Sequence, residues 1–263
     1  MRRLPALVAA LLLPAAPPPL LSTAVVSATL LVSKAPSQAQ SSEAVAKAAQ
    51  SITVRIEGAT QGSGVLVKHE GNRYTVLTAW HVVSDQTAGE ELDIFVHDGS
   101  RQQLERGSIK RLGNVDMAVL TFSSPSSYEV ARTGDVKSVS SGEQVLVAGF
   151  PVGGNGLLRY DKGKLVANAA VGIDQGYQLL YTNNTQAGMS GGVVMTSNGL
   201  LIGLHGRGEQ DERESEKLGR SIKTGTNQGV PISYYNLFLA GIPIVASSDR
   251  ATTPDDFLAL AKS

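Results

Sequence analysis

From residue 51 onward the chain is cut into runs of four to seven residues rich in Val, Ile, Leu, Thr and Tyr, each closed by Gly, Asn, Asp or Ser. Runs this short cannot sustain independent helices, and their β-branched, half-alternating composition suits strands with one buried face. Six fall early, at 51–57, 64–68, 74–78, 92–96, 108–111 and 117–121. Six more fall at 144–148, 162–167, 179–182, 192–195, 200–205 and 226–230. Gly71-Asn72 and Asn198-Gly199 read as hairpin turns. A loop near 123–140 separates the two sets. The expected architecture is all-β: two packed antiparallel six-stranded β-barrels with few short helices. The expected division is an N-terminal barrel over 51–130 and a C-terminal barrel over 131–245, with an arm at 40–50 and a tail at 246–263.

Composition narrows the function classes. Lys plus Arg and Asp plus Glu each number 23, so no single-sign field invites nucleic acid or a membrane surface. There is no cysteine, which removes disulfides, a thiol nucleophile and thiolate metal sites. The four histidines lack ligand spacing, so neither a metal nor a cofactor is expected. Residues 1–39 read as an export signal: Arg2 and Arg3, an apolar stretch from Leu4 to Leu13, and Ser37-Gln38-Ala39 as a small-x-small cleavage site. The second apolar run, 20–32, is short for a membrane span. Cleavage after Ala39 would remove three basic residues and no acid, leaving a mildly acidic exported protein, periplasmic or secreted, with no stable membrane partner.

Other features have simpler readings. Gly153-Gly154-Asn155-Gly156 is a turn with no helix behind it to cradle a phosphate. The mixed charges of 209–217 suit a solvated hairpin loop. Thr253-Pro254-Asp255-Asp256 resembles a capped helix start.

Three segments carry chemistry. Acyl transfer needs a hydroxyl beside a base, an acid that holds the base in one tautomer, and backbone N–H donors facing the developing oxyanion. Thr78-Ala79-Trp80-His81-Val82-Val83 places a histidine at a strand end. Gly113-Asn114-Val115-Asp116 places an aspartate before the strand Met117-Ala118-Val119-Leu120. Gly188-Met189-Ser190-Gly191-Gly192 places a serine in a bend where the amides of Gly188 and Ser190 can converge as an oxyanion hole. His81, Asp116 and Ser190 are therefore the expected catalytic residues. Asp93 and Asp98 compete with Asp116 as the acid, and neither precedes an Ala-Val-Leu strand. His69 and His97 sit in polar, turn-like surroundings and read as surface residues.

In this order and spacing, the segments resemble the chymotrypsin-like serine peptidases. Gln61-Gly62-Ser63-Gly64 and Gly149-Phe150-Pro151 resemble the bacterial branch, with HtrA-like and glutamyl-endopeptidase-like domains. The resemblance implies a serine endopeptidase acting on peptides or proteins in a cleft between the barrels. It also implies substrate extended along an edge strand near Leu204–Gly206. Met189 stands where the digestive enzymes carry an acid that pairs with a new N-terminus, so that activation switch is absent. Val193 stands where many relatives have proline, and Trp80 where many have a smaller residue. Asn184, not a carboxylate, lies six residues before Ser190, which argues against Lys or Arg before the cut bond. Thr185 and His205 match the glutamyl endopeptidase pattern, so a substrate-binding set of Asn184, Thr185, Leu204, His205 and Gly206 with an acidic preference is implied.

Three alternatives compete. The Gly-x-Ser-x-Gly pattern also fits an α/β-hydrolase elbow, but only His205 follows Ser190 and no acid lies between them. A chaperone-protease would need a peptide-binding module after the second barrel, for which the residues beyond Val245 leave little room. A non-catalytic peptide-binding protein would be expected to have lost a triad residue.

Overall fold

The computed structural model describes residues 41–86, 91–105, 107–210, 212–220 and 222–246. The expected export signal at 1–39 and the expected helix start at Thr253 lie outside them. The expected all-β double-barrel arrangement is what the chain adopts. Among the described residues no helix is long and apolar enough to cross a membrane.

The first unit is built from β1 (Thr53–Glu57), β2 (Gln61–Glu70), β3 (Arg73–Thr78), β4 (Asp93–Phe95), β5 (Arg101–Gln103), β6 (Lys110–Arg111) and β7 (Ala118–Ser123). Their order is β5-β4-β1-β2-β3-β7-β6, and a bridge between Leu104 and Phe122 ties the β5 end back to β7. The sequence had concealed β5, whose polar Arg-Gln-Gln has no apolar alternation to mark it. The second unit is a closed barrel in the order β10-β13-β12-β11-β8-β9. Its strands are β8 (Gln144–Gly149), β9 (Arg159–Ile173), β10 (Tyr177–Tyr181), β11 (Val193–Thr196), β12 (Leu201–Gln210) and β13 (Lys223–Pro231).

Alternation along the strands divides the core. Leu66, Val76 and Leu120 fill the interior of the first unit. Their neighbours Val65, Leu77 and Val119 point the other way, into the cluster that fills the second barrel and runs beneath the first. Burial on both faces accounts for the unbroken apolar stretches Val65-Leu66-Val67 in β2, Val76-Leu77 in β3 and Ala118-Val119-Leu120 in β7.

Among the described residues four α-helical segments and one 3-10 turn (Val136–Ser138) decorate the sheets. The expected arm is a true helix, α1 (Ser42–Ile52), with Ser41 accepting from the Ala44 amide at 3.2 Å. Val45, Ala49 and Ile52, spaced by four and three, are its buried face. It ends where β-branched Thr53-Val54 favours the strand. A single turn, α2 (Trp80–Val83), follows β3, so His81 sits on a helical turn just past the strand end. The expected solvated loop at 209–217 is instead the end of β12 followed by α3 (Glu212–Leu218). Beyond β13 comes α4 (Ser233–Leu239). The connection between the units is stapled to both: Ala131 N–H donates to Leu66 O, and Leu201 N–H to Arg132 O, each at 2.8 Å.

Candidate active site

Strand register assembles the site. Thr78 at the end of β3 pairs with Ala118 at the start of β7. That pairing sets His81, three residues beyond Thr78, beside Asp116, two residues before Ala118. His81 Nδ1 lies 2.8 Å from Asp116 Oδ2, and the His81 backbone N–H donates to Oδ1 at 2.9 Å. One carboxylate thus grips the ring and its backbone together. Asp116 is 2% exposed, whereas the His81 side chain is 46% exposed. The carboxylate is buried and the imidazole it holds is open to solvent. Burial pushes the Asp116 carboxyl up, but the hydrogen bonds and charge of His81 and a hydrogen bond from Tyr177 prevail, leaving it below its ordinary value.

The rival acids are engaged elsewhere. Asp93 pairs with Arg101 Nε at 2.7 Å, and Asp98 closes a turn onto Ser100. His69 stacks on Tyr74 and His97 meets the edge of Tyr128, both away from the triad residues.

Ser190 approaches from the second barrel. β11 pairs with both β8 (Val193↔Ala148) and β12 (Val193↔Leu204), so the turn before β11 sits between Gly149-Phe150 and the His205–Gly206 segment. Two glycines in this turn are left-handed, Gly188 at φ 91° and Gly191 at φ 84°. A Cβ on Gly188 would meet Phe150 O at 2.6 Å, and one on Gly191 would strike Ser63 O and come within 3.0 Å of the Ala79 amide. The serine turn is therefore pressed against the segment that leads into His81. Among the described residues the N–H groups of Gly188 and Ser190 donate to no other group. Ser190 Oγ itself donates to Gly206 O at 2.8 Å, not to His81.

Ser63 underlies this turn, a role that motif reading had not given it. It is fully buried. Its N–H donates to Ser190 O at 2.8 Å, its hydroxyl donates to Gly188 O at 2.8 Å, and the same oxygen accepts from Phe150 N–H at 2.8 Å. Gln61 Nε2 adds a bond to Pro151 O at 3.2 Å. The two short motifs around Ser63 and Phe150 thus meet as one floor beneath the serine. Met189, where an acid was expected to be missing, is buried in the second-barrel core.

The specificity residues fall out unevenly. Asn184 is exposed, while Thr185 and His205 are buried. Thr185 Oγ1 donates to Asn227 Oδ1 at 2.5 Å, and His205 Nδ1 lies 2.8 Å from Tyr181 Oη. Burial, with the nearby charges of His81 and Lys223, pushes the His205 pKa down to about 3, so the ring is neutral at pH 7. Leu204 does not line the cleft: it is 1% exposed and belongs to the core. Nor is its strand an edge there, since Leu204 is paired with both Val193 and Val230. The β11 pairing ends where His205 exchanges bonds with Gly191 and Gly192, and the residues from Arg207 onward pair with β13 alone. The free edge is displaced to Gly206 and beyond.

Comparison with known proteins agrees with this geometry. Residues 62–204, more than half of the chain, match the trypsin-like peptidase domain model. The serine protease Do-like HtrA of Bacillus subtilis (strain 168) is 27% identical over 215 residues, covering 77% of this chain and 44% of that protein. The serine protease Do-like HtrB of the same organism is 28% identical over 170 residues, 61% of this chain and 35% of the relative. The Do-like HtrA of Lactococcus lactis subsp. lactis (strain IL1403) is 25% identical over 162 residues, 59% and 38% respectively. The chain spans less than half the length of these curated relatives. With register, paired acid and base, and a glycine-bent serine all in the matched segment, the chain belongs to the trypsin-like peptidase family.

Proposed function

We propose that the chain is a serine endopeptidase that hydrolyses peptide bonds through an acyl-enzyme on Ser190. The observation that carries this reading is the double grip of Asp116 on His81. It commits Nδ1 and leaves Nε2 as the basic nitrogen facing the cleft. In the proposed mechanism the Ser190 hydroxyl leaves Gly206 O and turns to His81 Nε2. The imidazole removes the proton as Oγ attacks the carbonyl carbon, and the oxyanion receives the N–H groups of Gly188 and Ser190. His81 then protonates the leaving amine, and water repeats the sequence on the ester. The proposed division of labour gives the acid and base to 51–130 and the nucleophile to 131–245.

The test is hydrolysis of unfolded casein and short peptides. Ser190→Ala and His81→Ala should lose on the order of 10⁴- to 10⁶-fold in turnover, and Asp116→Asn about 10⁴-fold. Residual activity in Ser190→Ala above about a thousandth of wild type would exclude the assignment. Resting of Ser190 on Gly206 favours one second reading, a protein that captures peptides without cutting them. Fluorophosphonate labelling, lost in Ser190→Ala, separates the two.

An acidic preference before the cut bond is part of the proposal, supported by Thr185, His205 and Lys223, whose Nζ lies 3.4 Å from Thr185 O. The Tyr181 phenol proton decides it. Spent on His205 Nδ1 it leaves Nε2–H as a donor; spent on Gln228 O, at 3.1 Å, it leaves Nε2 bare and hostile to a carboxylate. Matched peptides should be cut faster after Glu than after Leu, and Lys223→Met should erase the difference. Equal rates in wild type, or an unchanged preference in the variant, would refute it. The proposed export rests on the pattern at 1–39, and N-terminal sequencing of the protein from cell fractions tests it.

A further inference from the structure

The triad does not account for every bond to its acid. Asp116 Oδ2 accepts a second hydrogen bond, from Tyr177 Oη at 2.5 Å. We propose that Tyr177, at the start of β10, is a positioning residue for catalysis whose phenol hydroxyl fixes the rotamer of the Asp116 carboxylate. This inference rests on the triad reading and extends it to a residue on the opposite barrel.

The surroundings of Tyr177 are built for that contact. The β9–β10 hairpin turns through Asp174, Gln175 and Gly176, three consecutive residues with positive φ at 31°, 61° and 87°. Two of them are not glycine, and such backbone is held only where its surroundings impose it. Here the surroundings are the Asp116 loop. Gln175 O accepts the Asp116 N–H at 2.7 Å, Gln175 Oε1 accepts from Arg111 Nη2 at 3.1 Å, and Gly176 abuts Val115 closely enough that a Cβ would come within 2.6 Å of it. The hairpin of one barrel thus grips the acid-bearing loop of the other, and Tyr177 is the next residue along.

The ring is held as well as the hydroxyl. The Arg207 guanidinium lies 4.2 Å from the Tyr177 ring centroid and is itself tied to Asp174 Oδ2 at 2.6 Å. A Cβ at Gly206 would collide with the ring and lie 2.8 Å from its oxygen. Only glycine at 206 leaves the phenol where it is. Burial and the Asp116 charge raise the Tyr177 pKa well above its ordinary value, so the phenol keeps the proton it donates.

With both bonds in place, each carboxylate oxygen has a fixed direction: Oδ1 toward the His81 amide, Oδ2 shared between imidazole and phenol. Loss of the phenol leaves His81 alone to hold the carboxylate, which loosens its χ2, and the cost falls on the step in which His81 becomes charged.

The experiment is Tyr177→Phe in the full-length protein, which keeps the ring and its Arg207 contact. Casein-peptide kinetics are measured per competent site, counted by fluorophosphonate titration, so a partly folded preparation does not confuse the result. A kcat loss on the order of tenfold with KM within twofold is expected, as for a hydrogen bond to a charged group that acts in the transition state. In the Asp116→Asn background the same change should cost less than twofold, because Tyr177 works through that carboxylate. A wild-type kcat in Tyr177→Phe, a parallel rise in KM, or an equal loss in the Asp116→Asn background would overturn the proposal. Ser190→Ala assayed alongside separates the two levels. If it stays active the triad reading itself fails; if it is dead while Tyr177→Phe is unimpaired, only the role of Tyr177 falls.

Discussion

At the scale of single residues, burial of polar groups sets the terms. Ser63 satisfies Phe150 N–H and Gly188 O, which have no other partner among the described residues. Ser63→Ala should cost about 1–3 kcal/mol for the orphaned groups and slow turnover by loosening the oxyanion turn. Urea unfolding and kcat measured together check this, and a stable variant with reduced kcat would show that the turn alone has moved. His205 gives a pH dependence. Its folded pKa of about 3 lies below the ordinary 6.5, so between those values the unfolded chain holds a proton that the native chain refuses. Its contribution is complete above pH 6.5 and is lost as pH falls toward 3, at up to about 1.4 kcal/mol per unit. His205→Gln should flatten that acid limb by up to about one proton. An unchanged slope between pH 7 and 4.5 would show that the ring protonates freely in the fold. The pairing of His81 with Asp116 and the glycine-bent turn at Ser190 were legible because each lies in a run whose neighbours have a mechanical purpose. Tyr177 and Ser63 were not, since their roles arise from contacts across 61 and 125 residues of chain.

At the scale of elements, the apolar runs declared most strands and the exceptions have physical causes. β5 has too few apolar residues to announce itself, and it forms because β4 offers an edge to pair with. Leu204 was misread because an apolar strand residue near the nucleophile looks the same in a list whether it faces cleft or core. Only pairing on both sides reveals which. α1 was hidden by small residues: in Glu43-Ala44-Val45-Ala46-Lys47-Ala48-Ala49-Gln50 alanines lie on both faces, so the buried stripe of Val45, Ala49 and Ile52 does not stand out. Its docking can be tested directly. Val45→Ala removes two carbons from a side chain 3% exposed and should destabilise the fold by about 2 kcal/mol, read by urea unfolding. A negligible change would mean that the helix is an ornament.

At the scale of the whole molecule, each barrel supplies what the other lacks. Ser63 from the first steadies the serine turn of the second, and the β9–β10 hairpin of the second steadies the acid loop of the first. Asn114 adds a further tie, exchanging bonds with Ala246 beyond α4. With Met189 buried and the oxyanion turn held by Ser63, no ion pair to a freshly cut terminus is needed for order. Protein beginning at residue 40 should therefore hydrolyse peptides without an internal cut, and a preparation inert until nicked would contradict this. The resting bond of Ser190 has its own consequence. Gly206 O, at the head of the free edge, is the acceptor that an incoming chain's amide would claim. On the proposed reading, a bound backbone evicts the hydroxyl from its perch and hands it to His81, so that arming the nucleophile and reading the substrate become a single exchange.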